Sequence, residues 1–268
     1  MTLESLLRKV RSPRALATTA LALTIGYGIL QSDSTSAFSI PAHKNIVEEC
    51  LNNTFLSNAI PTVKSRMADL DERDAISGIV SNPNYQPKYH CDRAGDRDNA
   101  RAFSECQEYF MQARAEMLND AWNMNKEHAY IMLTRMLHAQ ADFYSHSNAW
   151  ERVNQFESDM KSCWDGTIYC DGTVADRWNI LMTQYPNGPD RPHSQWNVDC
   201  ASGKYDHLWD TGVFCINNTN QNNEVSFRGQ SMIRFDVARI LAIETCRESI
   251  ERLNRDCPEG SQCYNTLR

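Results

Sequence analysis

Ten cysteines, the first at position 50, set the terms on which this 268-residue chain can fold. An even set of that size is the mark of an exported protein whose thiols are oxidised in pairs, because reducing compartments keep such pairs open. No two of them stand in the Cys-x-x-Cys spacing of a structural zinc site. Two pairings are favoured by short Gly-containing loops, Cys163 with Cys170 and Cys257 with Cys263, and Cys200 with Cys215 is a third expectation. The sequence leaves the wider connectivity open.

The N-terminus agrees with export. RKVRSPR is a basic segment, ALATTALALTIGYGIL a sixteen-residue apolar stretch, and QSDSTSA a polar tail that ends in small residues. That is the order of a secretory signal peptide, with Thr35 and Ala37 at the −3 and −1 positions. The competing reading is an uncleaved anchor, which the apolar length barely permits. Cleavage predicts a signal at 1–37, a mature chain of 38–268 with no membrane anchor, and a secreted or, in a bacterium, periplasmic location. It takes four basic and two acidic groups off a net charge of −7, leaving −9. Such a surface gives no bulk attraction for nucleic acid, and no stable nucleic-acid partner is expected. Asn52 and Asn217 each open an Asn-Asn-Thr sequon and are glycosylation candidates in a eukaryotic host.

Past residue 37 the periodicity is helical and period-two alternation is scarce. Residues 41–68 predict helix with a break near Pro61, and 72–96, rich in Asn, Pro, Tyr and Asp, predict a loop. Asp98 to about Asn123 repeats apolar and small residues at three and four. A second long helix follows over 125–147, with Ala129, Met132, Leu133, Met136, Leu137 and Ala141 on its buried side. Residues of about 160–228 change character, gathering Gly, Pro, Asp, Asn, aromatics and cysteines, and predict a disulfide-linked irregular region. MIRFDVARILAIETCRESIERLN, 232–254, predicts the closing helix. The fold class expected is all-α, in one domain.

HAQADFYSHSNAW, residues 138–150, carries the chemistry. His138, Asp142 and His146 stand four apart, so on a helix all three project from one side. Imidazole and carboxylate together suit zinc. Near the proposed cut, cleavage after Ala37 would make Phe38 the N-terminus. Its α-amine and carbonyl oxygen can chelate a metal, with His43 at a helix start close behind.

These residues resemble the superfamily of zinc-dependent phospholipase C and S1/P1-type nucleases. More closely, LHAQADFYSHSNAW is similar to the LHxxQDFYSHSNW signature of the Het-C family of heterokaryon-incompatibility proteins. YHCD at 89–92 resembles that family's HFD element, and FDVARILAIETC at 235–246 its closing segment. The resemblance implies a helical phospholipase C/P1 nuclease-like domain holding up to three zinc ions. Carried over residue by residue, the implied ligands are Phe38, His43, Asp74 (with Asp71 as substitute), His90, His138, Asp142 and His146. Asp142 would bridge two ions, and Asp142 and Asp74 are the implied catalytic carboxylates. For the last pair, YDHLWDTG offers His207 and Asp210, three apart, or Asp206 and Asp210, four apart. In the Het-C register the matching histidine falls on Phe235, which cannot ligate. His128 and His193 match nothing.

Expected support for the ligands comes from Tyr144, Ser145, Ser147 and Asn148, hydrogen-bonding to ring N–H groups. Phe143 and Trp150 are expected to pack. The function implied is a secreted zinc-dependent phosphodiester hydrolase, phospholipase C-like, with phospholipid ahead of other phosphodiesters. Its competitor is a non-enzymatic incompatibility, cell-death or interaction protein that keeps a residual zinc site.

Overall fold

The computed structural model describes residues 40–75, 86–94, 98–182, 184–185 and 224–268. They form a predominantly helical structure tied by disulfides. Helix α1, Ile40–Leu51, buries Ala42 and His43, Ile46 and Val47, and Cys50 and Leu51, three pairs four residues apart that make one continuous face. Asn53, at φ 62°, takes the left-handed conformation that lets the chain leave it. A short 3-10 turn at Ser57–Ala59 leads into α2, Ile60–Ala75. The break therefore lies before Pro61, which sits in the first turn of α2, where its missing N–H costs no helical hydrogen bond. Helix α2 also runs past residue 72, where the composition predicted loop.

A second 3-10 turn, Pro87–Tyr89, and the two-residue strand β1, Arg93–Ala94, flank His90. The two long helices are close to expectation. Helix α3 spans Asn99–Trp122, with the Asp98 carboxylate accepting from Arg101 N at 2.7 Å, and α4 spans Lys126–Ser145, capped by Asn125. Helix α4 is central: it packs along α3 and also meets α1 and α2. From Ala129 to Ser145 nearly every side chain on it is buried, including its polar ones.

The sequence did not single out α5, Ala149–Trp164, or α6, Gly172–Trp178. Gly172 is where α6 touches α3: a Cβ there would stand 2.6 Å from the Ala100 carbonyl oxygen. Strand β2, Gln184–Tyr185, pairs parallel with β1. Strands β3, Glu224–Phe227, and β4, Gln230–Ile233, form a hairpin. Its turn residues Arg228 and Gly229 have φ of 50° and 79°, the paired positive values of a tight primed turn. The helix expected from 232 starts at Arg234 because β4 claims Met232 and Ile233. It runs to Asp256 as α7, and α8, Gln262–Leu267, ends the chain.

Polar bonds and rings register these helices. Gln140 on α4 donates to Trp164 O at 2.6 Å and to Ser249 Oγ at 2.7 Å, joining α4, α5 and α7. Phe143 stacks on Trp164 at 4.6 Å, with Phe103 edge-on to both. Cys163–Cys170 and Cys257–Cys263 are bridged as expected, and Cys50–Cys246 and Cys91–Cys106 are also present. Cys200 and Cys215 lie outside the described residues, as does most of the 160–228 region. Among the described residues no helix is long and apolar enough to cross a membrane.

Candidate metal centre

The side of α4 that carries His138 and Asp142 faces α1 and the His90 loop. His43, His138 and Asp142 are all buried, and their ligand atoms lie within 4.8 Å of one another. They form a buried set suited to a metal ion such as zinc. His43 Nε2 is 3.0 Å from Asp142 Oδ1. On the other carboxylate oxygen, Oδ2 is 2.9 Å from His138 Nε2 and 3.1 Å from His90 Nδ1. These two nitrogens are themselves 3.0 Å apart. The His43 and His138 rings stack at 4.6 Å, and His90 stands edge-on to His138 at 4.9 Å.

These separations suit a shared cation as well as a hydrogen-bond network. Donor atoms sharing one tetrahedral zinc at about 2 Å stand roughly 3.3 Å apart, close to these separations. The donor chemistry, imidazole nitrogen with carboxylate oxygen, suits zinc, and two histidines with one carboxylate also suit iron(II).

Asp142 supplies the charge. Burial by itself would push its carboxyl up, but His138 and His43 outweigh that and hold it well below the ordinary carboxylate range. It is therefore ionised wherever the protein is folded at neutral pH.

His146 follows on the same line of α4 and caps it, its backbone N–H bonding to Asp142 O at 2.7 Å. Its ring is fully buried, and burial pushes it down to about 4, which keeps it neutral. Nδ1 donates to the carbonyl of His90 and lies 3.3 Å from Asp92 Oδ1. Asp92, 2% exposed, has no place among the residues expected from the sequence. A signal was there: it closes the YHCD element at 89–92.

The remaining candidates are placed unevenly. Phe38, His207, Asp210, Asp206 and His193 lie outside the described residues. Asp74 falls in the last turn of α2, and its side chain, like that of Asp71, lies outside them too. Tyr144 meets Thr245 Oγ1 at 2.8 Å instead of an imidazole, and burial raises its phenol. Ser145 bonds the Asp142 carbonyl and Ser147 that of Phe143, while Asn148 accepts from Leu181 N at 2.8 Å and so braces the chain after α6. Trp150 is buried with the Arg234 guanidinium 4.3 Å above its ring, and Phe143 packs against Trp164. Phe235 is buried at the start of α7, and one turn on Arg239 reaches Asn45 and Glu49 of α1. His128 pairs with Asp120 at 2.5 Å, away from the cluster in the turn between α3 and α4.

Compared with known proteins, the chain matches no family model, no curated protein and no solved structure.

Proposed function

We propose that the chain is a secreted, zinc-dependent phosphodiester hydrolase of the phospholipase C type, related to the Het-C proteins. The observation that carries this reading is the convergence of His43, His90 and His138 on the two oxygens of Asp142. His43, His138 and Asp142 would hold one ion between them, with His90 at the same carboxylate. Zinc held there supplies Lewis acidity at neutral pH, the property phosphoester hydrolysis needs.

The chain's own residues have distinct tasks. Asp142 joins the imidazoles, and its ionisation keeps the buried site receptive to cations. Asp74 is the second catalytic carboxylate that the Het-C likeness implies. The α-amine of Phe38, exposed by signal cleavage, would take the third ion. His146, His207 and Asp210 are the further ligands the Het-C likeness implies, for up to three ions in all. Phospholipid is favoured over nucleic acid because the net charge of −7 gives a polyanionic strand no footing.

The test is an assay of zinc-loaded mature protein on phosphatidylcholine, phosphatidylethanolamine and single-stranded DNA, with His138→Ala and Asp142→Ala as controls. Release of a phosphorylated head group, lost in both variants, is the expected result. Nucleotide release moves the protein to the nuclease branch. Zinc retention without turnover on any of the three favours the non-enzymatic alternative, and no zinc by elemental analysis overturns the reading.

A further inference from the structure

His90, Cys91 and Asp92 are three consecutive buried residues whose side chains go to three different places. His90 reaches Asp142, Cys91 is bridged to Cys106 on α3, and Asp92 reaches His146. Cys91, at φ 52°, takes the left-handed conformation, which a residue other than Gly adopts at a cost of about 1–2 kcal/mol. That turn sends the Cys91 side chain to α3 while both of its neighbours point inward. The segment is held from the other side by His90 N and Asp92 N, both donating to Pro87 O, at 3.1 and 2.9 Å.

From this arrangement we infer that Asp92 is a positioning residue of the metal centre: with the His90 carbonyl it fixes which nitrogen of His146 carries the proton. The inference rests on the proposed zinc site. The two groups facing His146 Nδ1, a carbonyl oxygen and a carboxylate oxygen, are both acceptors. A neutral imidazole has one N–H, and here it must be on Nδ1. Nε2 is then the ring's lone-pair nitrogen, the atom able to bind a cation. A carboxylate behind a ligating imidazole also raises its basicity and locks its rotation. The same contact links the two halves of the centre. His146 holds the backbone of His90, whose ring is at Asp142, so the loop and the helix end are set as one unit.

Asp92 therefore acts through His146 and is not a ligand. Four variants of the disulfide-intact mature protein test this: Asp92→Asn, Asp92→Glu, His146→Ala and Asp92→Asn with His146→Ala. Zinc affinity is read by competition with a chelator, cobalt(II) uptake by its visible spectrum, and the stability of the metal-free protein by thermal melting. Asp92→Asn keeps the size and an acceptor oxygen but not the charge. It is expected to weaken zinc binding about 10–100-fold, the usual loss for such a partner, and to alter the cobalt spectrum. Its metal-free melting temperature should stay near wild type. Asp92→Glu should recover part of the affinity, and the double variant should bind no more weakly than His146→Ala alone. Wild-type affinity in Asp92→Asn overturns the inference. So do losses that multiply in the double variant, or a fall in metal-free stability with affinity intact, which would mark Asp92 as packing. Wild-type protein that takes up neither zinc nor cobalt overturns the zinc reading itself and this inference with it.

Discussion

Take away the carboxylate of Asp142, and three buried imidazoles face one another with nothing to organise them. Asp142→Ala is expected to destabilise the metal-free protein by about 3 kcal/mol, the scale on which breaking a buried charged contact is felt. It should also abolish zinc retention, as equilibrium unfolding and metal analysis would show. The pH response of metal-free protein depends on two residues. His146 is pushed by burial from 6.5 down to about 4. Between those values the unfolded chain holds a proton that the folded chain refuses, so stability falls as pH drops from 6.5 toward 4. That difference is worth about 3 kcal/mol. Asp142 acts in the same direction lower down. Its depressed carboxyl contributes fully above about pH 4, the ordinary carboxylate value, and that contribution is lost on further acidification. Denaturant unfolding of metal-free protein should therefore show a steady loss from pH 7 to 4. A flat profile across that range would contradict the burial of a neutral His146.

The elements that bring the ligands together are far apart in the chain. Helix α1 delivers His43 from the beginning of the described residues and is fastened near the other end by Cys50–Cys246, a separation of 196 residues. Closing so long a loop restricts the unfolded chain by about 5 kcal/mol on the chain-entropy estimate. A Cys50→Ala, Cys246→Ala variant is expected to lose most of that in guanidinium unfolding and to lose zinc faster, because the face of α1 that carries His43 is docked through the same helix. A variant with unchanged stability would mean that the Arg239 contacts to Asn45 and Glu49 suffice to hold α1 on α7. Helix α4 needs no such staple. The Gln140 amide nitrogen and the Tyr144 and Ser145 hydroxyls, all buried on it, have partners, and these bonds fix a helix that carries His138 and Asp142 inside the protein.

For the whole molecule, metal binding is folding free energy. Zinc at a thousand times its Kd stabilises a one-site protein by about 4 kcal/mol, or a rise in Tm of roughly 10 °C for a chain of this size. Mature protein beginning at Phe38 is expected to show such a shift. The same protein with extra residues ahead of Phe38 should show a smaller one, since its α-amine is no longer available. Equal shifts in the two would remove Phe38 from the ligand set while leaving Asp142 and its three imidazoles in place.

The sequence alone determined the long helices and the central motif. Local periodicity is enough to place α3 and α4, and a spacing of four is enough to put His138, Asp142 and His146 on one side of α4. Short loops containing Gly166 and Gly260 were enough to pair Cys163 with Cys170 and Cys257 with Cys263. The tertiary structure decided what stands opposite that side of the helix. That Cys50 meets Cys246, that His43 takes one oxygen of Asp142 and His90 the other, and that Asp92 stands behind His146 are contacts between distant segments. No pattern within a single segment encodes them, because they arise only when α1, α4, α7 and the His90 loop close on a common core.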